Sequence, residues 1–266
     1  MVNPMTVVSV PVKSRIVQTC AVGRKIGAGW PFMTITTKQG ESRGEKRMFI
    51  GHFAPAIVAA THPKAPGLGT LFVAGQLVDF AFFGLALAGI EKFRITPGMT
   101  AMNPLDLYHM PYTHSLLGSG VWALAFGLLI WLVTRNRTGA IIAGAVVLSH
   151  WLLDLLVHAP DLTLTGSPPK LGLGLWNYPA IEMPLEILIT FGALAFFVAR
   201  TRSTSPRSRL ALVLLTVLLI AFQLFNWFAP EPEAADATMM ISALVAFALA
   251  AVAAGSVGRT RTLKTA

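Results

Sequence analysis

Long apolar runs separated by short polar segments dominate the sequence from Met48 onward. A helix needs about 20 mostly apolar residues to cross the hydrocarbon core of a bilayer, and six of these runs reach that length. The six runs cover residues 67–90, 115–133, 139–158, 180–199, 210–228 and 238–256. The pattern therefore predicts six membrane-spanning helices.

A seventh apolar segment, MFIGHFAPAIVAAT at residues 48–61, is too short for a full span. We predict a half-membrane or re-entrant helix there, buried against the other helices. The small residues at 242–256, in the last run, favour close packing between helices. The predicted fold class is an all-α polytopic transmembrane helix bundle with six full spans and a short N-terminal membrane helix.

The chain divides into three regions by composition. Residues 1–47 mix Gly, Thr, Lys and Arg without sustained periodicity, and we predict that they form a disordered extension. The transmembrane domain would then cover residues 48–258, and residues 259–266 would form a basic cytoplasmic tail. The abrupt change at Met48 indicates that this methionine is the natural initiator and that the extension is not part of the native protein.

Composition and charge support a membrane protein. The chain is 54% hydrophobic and 12% charged, with a mean hydropathy of +0.64, which excludes an average soluble domain. Its formal net charge is +9, but the basic residues lie in the first 47 residues or beside apolar runs. Basic residues so placed set topology, and we expect no nucleic-acid partner. The positive-inside rule makes the side with residues 135–137, 200–209 and 259–264 cytoplasmic.

Ionisable side chains lie inside the apolar runs, most densely in VLSHWLLDLLVHAP at residues 147–160. His150, Asp154 and His158 recur every four residues, so they share one face of a helix. Ionisable groups within a membrane span are costly and mark functional sites by default. The predicted topology places this face in the outer half of the bilayer. His158, just before Pro160, fits a solvent-facing helix end as well as a ligand.

Other ionisable residues are predicted at a similar depth. His114 lies at the outer start of the preceding helix, and Asp79 lies near the middle of the first full span. His52 is near the outer end of the short segment if that segment crosses the membrane. Glu186 lies about two turns into a helix that descends from the outer face, with Glu182 one turn above it at the interface. These side chains can converge in one pocket.

Such a pocket has the chemistry of a metal site. Imidazole and carboxylate groups bind zinc and similar divalent ions, whereas the single Cys20 excludes a thiolate cage. The predicted metal ligands are His52, Asp79, His114, His150 and Asp154. The expected ion is zinc, which lowers the pKa of bound water towards about 7 when one coordination position stays open. Glu186 would be the general base or would orient a ligand histidine.

Two other classes of function fit the same residues. In a transporter or permease, buried His and carboxylate groups relay protons or bind a cation. In a non-catalytic scaffold, they hold helices together by hydrogen bonds. The sequence has no obvious inverted repeats or paired spans broken by Gly or Pro, which argues against the usual transporter architectures.

Two outer segments have predicted structures of their own. Asn103 followed by Pro104 resembles a helix start, so we predict a short outer helix that delivers His109. The segment DLTLTGSPPKLGLGLWNYP is rich in turn-forming residues and is predicted to be a loop. In it, Trp176 and Tyr178 are typical of an interfacial aromatic belt, and a lid over the site is the alternative.

Five motifs together resemble a family of bacterial inner-membrane proteins of unsettled function. They are MFIGHFA, GTLFVAGQLVDF, NPLDLYHMPYTHSLL, LSHWLLDLLVHAPDL and GLGLWN. This family is similar to membrane-bound metal-dependent hydrolases, which have an N-terminal histidine, an acidic residue, a His-Ser helix start and an H-x-x-x-D helix. By position, the resemblance implies the same five ligands, with Ser115 following His114. It also implies a multi-pass protein of the bacterial inner membrane.

The chain departs from the hydrolase group at two positions. That group usually has a paired acidic motif, whereas this chain has Asp79 alone in LVDF, which argues against a two-metal site. The group also has a basic residue before Thr-His-Ser, whereas this chain has Met110, Pro111 and Tyr112, which weakens the case for a phosphate substrate. The expected function is metal-dependent hydrolysis of a lipid or other amphiphile near the outer membrane face.

Overall fold

The computed structural model describes residues 50–230 and 232–264, which are mostly helical. Met48 and the extension predicted over residues 1–47 lie outside the described residues. Within the described part, five helices are long and apolar enough to cross a membrane, or six if a bent pair counts as one span. The predicted class, an all-α polytopic helix bundle, is confirmed.

The helices closely follow the predicted runs. A 3-10 turn, Ile50–Phe53, precedes the first of them. In chain order the helices are α1 (Ala54–Ala59), α2 (Leu68–Gly75), α3 (Leu77–Leu87), α4 (Leu116–Thr134), α5 (Arg137–Val157), α6 (Pro179–Arg200), α7 (Ser208–Phe228) and α8 (Ala237–Arg259). Two short antiparallel strand pairs join their ends: β1 (Lys92–Ile95) with β2 (Leu105–His109), and β3 (Thr201–Ser203) with β4 (Arg261–Leu263).

The short N-terminal segment lies at the centre of the bundle. Ile50, Phe53 and Ile57 are fully buried and belong to the same core cluster as Phe72 of α2 and Leu215 of α7. The ring of Phe53 stacks on that of Phe72 at 4.3 Å between centroids. The burial explains how a helix too short to cross a bilayer is accommodated, because other helices surround its backbone.

The first predicted span, residues 67–90, is not one straight helix. It consists of α2 and α3, which bend by 53° at Gln76. Gln76 has φ −114° and ψ 11°, away from helical values, so the regular helix is interrupted there. The carbonyl of Gly75, just before the bend, accepts a hydrogen bond of 2.8 Å from Nδ1 of His150. The bend therefore lies beside a hydrogen bond between the first predicted span and α5.

The helix predicted to begin at Asn103 is wrong. The Asn103 side chain accepts a hydrogen bond from the backbone N–H of Leu105 at 2.9 Å, and strand β2 follows. The physical reason lies in the alternation of LDLYH, in which Leu107 is buried while Tyr108 is exposed, because side chains of a strand alternate between its two faces. His109 ends this strand opposite Lys92 and is exposed.

The two ends of the bundle differ in charge. At one end, Asn136 donates a hydrogen bond to the carbonyl of Lys64 at 2.7 Å, and Arg261 donates to the hydroxyl of Thr201 at 2.8 Å. We call this the basic end; it comprises residues 60–67, 135–136, 201–207 and 260–264. The opposite, or site, end comprises residues 88–115, 158–178, 229–230 and 232–236.

Glycines allow α2 and α8 to cross at short distance. A Cβ added to Gly69 would lie 2.8 Å from both the carbonyl oxygen of Ala251 and the Cα of Gly255. Close approach through small residues is a common way of packing helices in membranes. The small residues of the last span therefore pack as expected where α8 meets α2.

We expect Gly69→Val to destabilise the bundle, since the added side chain meets backbone atoms that cannot move independently. Overpacking of this kind costs about 1–3 kcal/mol. Thermal unfolding in detergent measures the effect as a lower Tm. Gly192→Val is the control, because a Cβ at Gly192 has no atom within 4 Å. Equal changes in Tm for the two variants would contradict the proposed contact.

Candidate metal centre

Four histidines and two aspartates meet towards the site end of the bundle. These six residues, called here the polar cluster, are His52, Asp79, His114, His150, Asp154 and His158. They come from the 3-10 turn, α3, the residue pair before α4, α5 and the residue after α5. Five are buried, whereas the side chain of Asp79 is 23% exposed.

Asp154 lies at the centre of this cluster. Its Oδ1 is 2.9 Å from Nε2 of His52 and 3.2 Å from Nε2 of His158. Its Oδ2 is 3.2 Å from Nε2 of His150 and 3.5 Å from Nε2 of His114. One carboxylate therefore contacts all four imidazoles, and each imidazole approaches through the same type of nitrogen.

Asp79 closes the cluster on another side. Its Oδ1 is 3.4 Å from Nε2 of His114 and 3.5 Å from Nε2 of His150. Two groups have all their ligand atoms within 4.8 Å of one another, and they share His150. These groups are His52, His150 and Asp154, and Asp79, His114 and His150. The structure thus brings together the five residues predicted as metal ligands, and their metal-binding role stays a prediction.

Hydrogen bonds on the far side of two rings fix their orientation. Nδ1 of His150 donates to the carbonyl of Gly75 at 2.8 Å. Nδ1 of His158 lies 2.9 Å from Oδ1 of Asp161. Because Nδ1 is used in this way, a neutral ring presents the lone pair of Nε2 to the cluster. This is the arrangement of metal-ligating histidines with an outer acceptor.

His114 is held by a longer chain of hydrogen bonds. Its Nδ1 lies 2.8 Å from the hydroxyl of Thr113, which donates to Oε2 of Glu91 at 2.6 Å. Oε1 of Glu91 also accepts from the backbone N–H groups of Tyr112 and Thr113 at 2.8 and 3.0 Å. Glu91 is 1% exposed, so this carboxylate holds both the loop before α4 and the ring of His114.

Nε2 of His150 and Oδ2 of Asp154 are buried and lie 3.2 Å apart, but they form no regular hydrogen bond with each other or with another described residue. The His–Asp contacts of the cluster measure 2.9–3.5 Å, and all ligand atoms within each of the two groups lie within 4.8 Å of one another. Two ligands at about 2.0 Å from a tetrahedral zinc ion lie about 3.3 Å apart. The donor types and spacings therefore fit zinc or a similar divalent ion.

The charges of the buried carboxylates also favour a bound cation. Among residues 50–230 and 232–264, no Lys or Arg forms an ion pair with Asp79, Asp154 or Asp161. Their ion-pair partners among these residues are the histidines of the cluster, with His158 between Asp161 and Asp154 at 2.9 and 3.2 Å. The carboxylates of this region favour a bound cation.

A cavity of about 610 Å³ borders the cluster. Five cluster residues line it: His52, Asp79, His114, Asp154 and His158. Asn103 and Trp176 line it at the site end, and the remaining walls are largely apolar. Trp176 is 4% exposed, and its ring lies 4.1 Å from that of His158. Trp176 thus covers the site, the alternative to an aromatic-belt position, whereas Tyr178 is 59% exposed.

The glycines of GLGLW allow this cover to form. A Cβ added to Gly172 would lie 2.3 Å from the carbonyl oxygen of Ala159. Gly174 donates its backbone N–H to the carbonyl of His158 at 2.7 Å and has φ +72°, which favours glycine. The loop therefore runs directly against the end of α5 and brings Trp176 onto His158.

Glu186, the predicted base or orienting residue, contacts the chain beside His52. Its Oε1 accepts from the backbone N–H of Gly51 at 3.1 Å, and its Oε2 accepts from the side-chain amide of Gln223. Glu186 is not among the described residues that line the cavity. These contacts are those of a residue that positions the His52 segment, and a role as base stays a prediction. Glu182, expected at the interface, is 1% exposed.

Sequence reasoning did not assign roles to Glu91, Thr113 and Asp161, and it left the role of His158 open. Asp161 follows His158 at i+3 in HAPD, and Thr113 directly precedes His114, so both had a local signal. Glu91 lies 22 residues before Thr113 and had none. Its role depends on the pairing of β1 and β2, which carries the chain back to α4.

The fold and the site together define a class: a multi-pass helical membrane protein with a buried His/Asp cluster that fits a divalent ion. Comparison of the chain with models of known protein families, with curated proteins and with solved structures finds no match. The geometry of the cluster and its cavity is thus the main guide to function.

We expect Thr113→Val to weaken metal binding by roughly 10–100-fold, the usual effect of removing an outer partner of a ligand histidine. The valine keeps the shape of threonine but cannot connect His114 to Glu91. Metal titration of the purified protein measures the change. Thr113→Ser retains the hydroxyl and is expected to bind the metal as tightly as the unmodified protein. Equal weakening in both variants would contradict a role for this hydrogen bond.

Proposed function

We propose that this protein is a metal-dependent hydrolase of the bacterial inner membrane, with a zinc-type ion in the polar cluster and a lipid or other amphiphile as substrate. One observation carries the proposal. Nε2 of His150 and Oδ2 of Asp154 face each other at 3.2 Å without a regular hydrogen bond in the described chain, and Asp154 also contacts Nε2 of three further histidines. This buried His/Asp cluster borders a cavity of substrate size. The resemblance of the motifs to membrane-bound metal-dependent hydrolases supports the same reaction class.

A scaffold role explains this site less well. Polar groups that hold helices together are expected to satisfy one another, because unpaired groups in a low-dielectric interior are costly. Here four imidazoles aim the same nitrogen at one carboxylate, and the contact of 3.2 Å between His150 and Asp154 is not a regular hydrogen bond. A scaffold role also does not require a cavity that is lined by five cluster residues.

The residues of the chain divide the chemical roles among them. A divalent ion held by His and Asp ligands supplies Lewis acidity and water of lowered pKa. In this assignment the histidines and Asp154 hold the ion. Asp79 is the most exposed cluster residue and lines the cavity, so it is better placed than Glu186 to accept a proton from a molecule bound there. Asp161 and Thr113 hold their histidines in one orientation, and Trp176 shields the site from water.

A cation transporter is the second candidate, and the bend between α2 and α3 favours it. Broken spans whose backbone faces a central site are typical of secondary transporters. In this protein, however, the carbonyl of Gly75 beside the bend is occupied by Nδ1 of His150. The described residues contain one such bent pair, whereas transporter repeats usually supply two.

Hydrolysis in a defined bilayer tests the proposal. The purified protein is placed in nanodiscs of phosphatidylethanolamine and phosphatidylglycerol, and released fatty acid or head group is measured by mass spectrometry. We expect product release that stops with a chelator and returns with zinc. His150→Ala should be inactive, whereas His109→Ala should be active because His109 is exposed on β2.

Product release that is indifferent to the chelator would overturn the proposal. The proposal would also be overturned by two results together: the protein retains its metal but releases no product from any lipid supplied, and it carries a cation flux across vesicles that depends on His150. That pair of results would favour the transporter instead. Loss of folding in His150→Ala is excluded by measuring its Tm beside that of His109→Ala.

A further inference from the structure

The cavity extends from the polar cluster to the membrane-facing surface between α7 and α8. Residues on one stripe of each helix line it. On α7 and just beyond they are Phe222, Phe225, Asn226 and Ala229, and on α8 they are Thr238, Met239, Ser242, Ala243, Ala246 and Phe247. Each stripe follows the three- and four-residue spacing of a helix face. The two stripes therefore form opposing walls.

The walls reach the outside of the bundle within the spanning helices. Phe225 is 74% exposed and Ser242 is exposed, although both line the cavity. Nearer the basic end, Leu219 of α7 and Ala250 and Ala254 of α8 are fully buried in one core cluster. The two helices thus pack against each other in the half nearer the basic end, and they line the cavity in the other half.

The length of the cavity wall matches one leaflet. From Thr238 to Phe247 the helix rises about 14 Å, at about 1.5 Å per residue. The hydrocarbon core of a bilayer is about 30 Å thick, so the wall covers about half of it. A lipid acyl chain of the leaflet at the site end spans this same depth. The small side chains of Ser242, Ala243 and Ala246 leave room along it.

The charged residues of the lining are acidic. Asp79 and Asp154 line the inner part, where the proposed ion would lie. Glu233 and Asp236 line the part at the site end, beyond the cluster, and no described Lys or Arg lines the cavity. Such a surface repels an anionic head group and attracts an ammonium group. Electrostatic complementarity therefore favours a lipid whose head group is zwitterionic rather than anionic.

We propose that the space between α7 and α8 is a lateral binding site for one acyl chain of a zwitterionic membrane lipid, whose ammonium-bearing head group lies beside the acidic residues and the polar cluster. The lipid enters sideways from the leaflet at the site end. That this lipid is also the substrate rests on the proposed hydrolase function. The binding of the lipid does not rest on that function, because the helices themselves form the cavity walls.

Photolabelling tests the site directly. The protein is placed in nanodiscs that contain phosphatidylcholine with a diazirine on one acyl chain, and labelled residues are identified by mass spectrometry. We expect adducts on Phe82 and Leu107, which line the cavity but are only 2% and 4% exposed, so that surrounding lipid does not reach them. Phosphatidylglycerol with the same diazirine should label them about tenfold less, the equivalent of about 1.4 kcal/mol.

A pair of variants controls for position. Ala243→Trp fills the cavity wall, whereas Ala248→Trp adds the same side chain at an exposed position outside the lining. We expect Ala243→Trp to lose most labelling of Phe82 and Leu107 while its metal content stays unchanged. Ala248→Trp should keep both the labelling of Phe82 and Leu107 and the metal content. Ala246→Leu is a milder filling of the same wall and shows the same loss if Ala243→Trp folds poorly.

Absence of adducts on Phe82 and Leu107 in the folded protein would overturn the binding site. Undiminished adducts in folded Ala243→Trp or Ala246→Leu would do the same. Equal labelling by the anionic lipid would overturn the assigned head group. Protein that carries no metal but is labelled as expected supports the lipid site while contradicting the proposed hydrolase, so the two failures are distinguishable.

Discussion

Replacing Asp154 with Asn is expected to abolish metal binding while the protein still inserts and folds. The carboxylate of Asp154 contacts the Nε2 atoms of all four cluster histidines at 2.9–3.5 Å. An amide of the same shape has no negative charge and turns a donor towards one side of the cluster. The loss should exceed the roughly 10–100-fold effect of removing an outer partner of a ligand.

Metal content per chain and Tm, measured together, provide the test. Asp106→Asn is the matched control, because Asp106 pairs with the exposed Arg94 on the hairpin at 2.6 Å. Exposed pairs contribute only about 0–1 kcal/mol, so the control should keep both its metal and its Tm. Asp154→Asn protein that is folded and retains the full metal content would show that Asp154 is not a ligand.

Replacing Gly172 with Ala is expected to open the cover of the site. The added Cβ would lie 2.3 Å from the carbonyl oxygen of Ala159 and 2.6 Å from that of His158, so the loop must move. Overpacking against a well-packed region costs about 1–3 kcal/mol and occasionally more. The movement should also separate the ring of Trp176 from that of His158, now 4.1 Å apart.

We expect a lower Tm and a red-shifted tryptophan fluorescence for Gly172→Ala, because Trp176 becomes accessible to water. Gly84→Ala is the control, since a Cβ at Gly84 has no atom within 4 Å. It should leave both measurements unchanged. An unaltered Tm and emission spectrum for Gly172→Ala would mean that the loop does not depend on this close contact.

The spans could be predicted from sequence because hydropathy over about 20 residues is a local property. The bend at Gln76 could not, because local hydropathy does not reveal it; the carbonyl beside it, that of Gly75, accepts a hydrogen bond from His150, 75 residues away. The helix predicted at Asn103 is wrong for another reason. Asn103 and Pro104 are helix-start residues, whereas the alternation of LDLYH favours a strand, and pairing with β1 decides between them.

The central residues of the site were predictable because an ionisable residue in an apolar run is conspicuous. His150 and Asp154 share a helix face by spacing alone. His158 was ambiguous because it lies at a helix end, where solvent is an equally good partner. Glu91 could not be found, since its carboxylate acts through Thr113 across the β1–β2 hairpin. Its position is a property of the folded chain.

The most direct test of the central claim is the metal content of the purified protein, measured by plasma mass spectrometry after removal of loosely bound ions. We predict a stoichiometric divalent ion, with zinc expected, that is lost from His150→Ala but not from His109→Ala. We also predict that a chelator lowers the Tm, because ligands that bind the folded state stabilise it. Folded protein without metal, whose Tm is indifferent to chelator and to added zinc, would contradict the account.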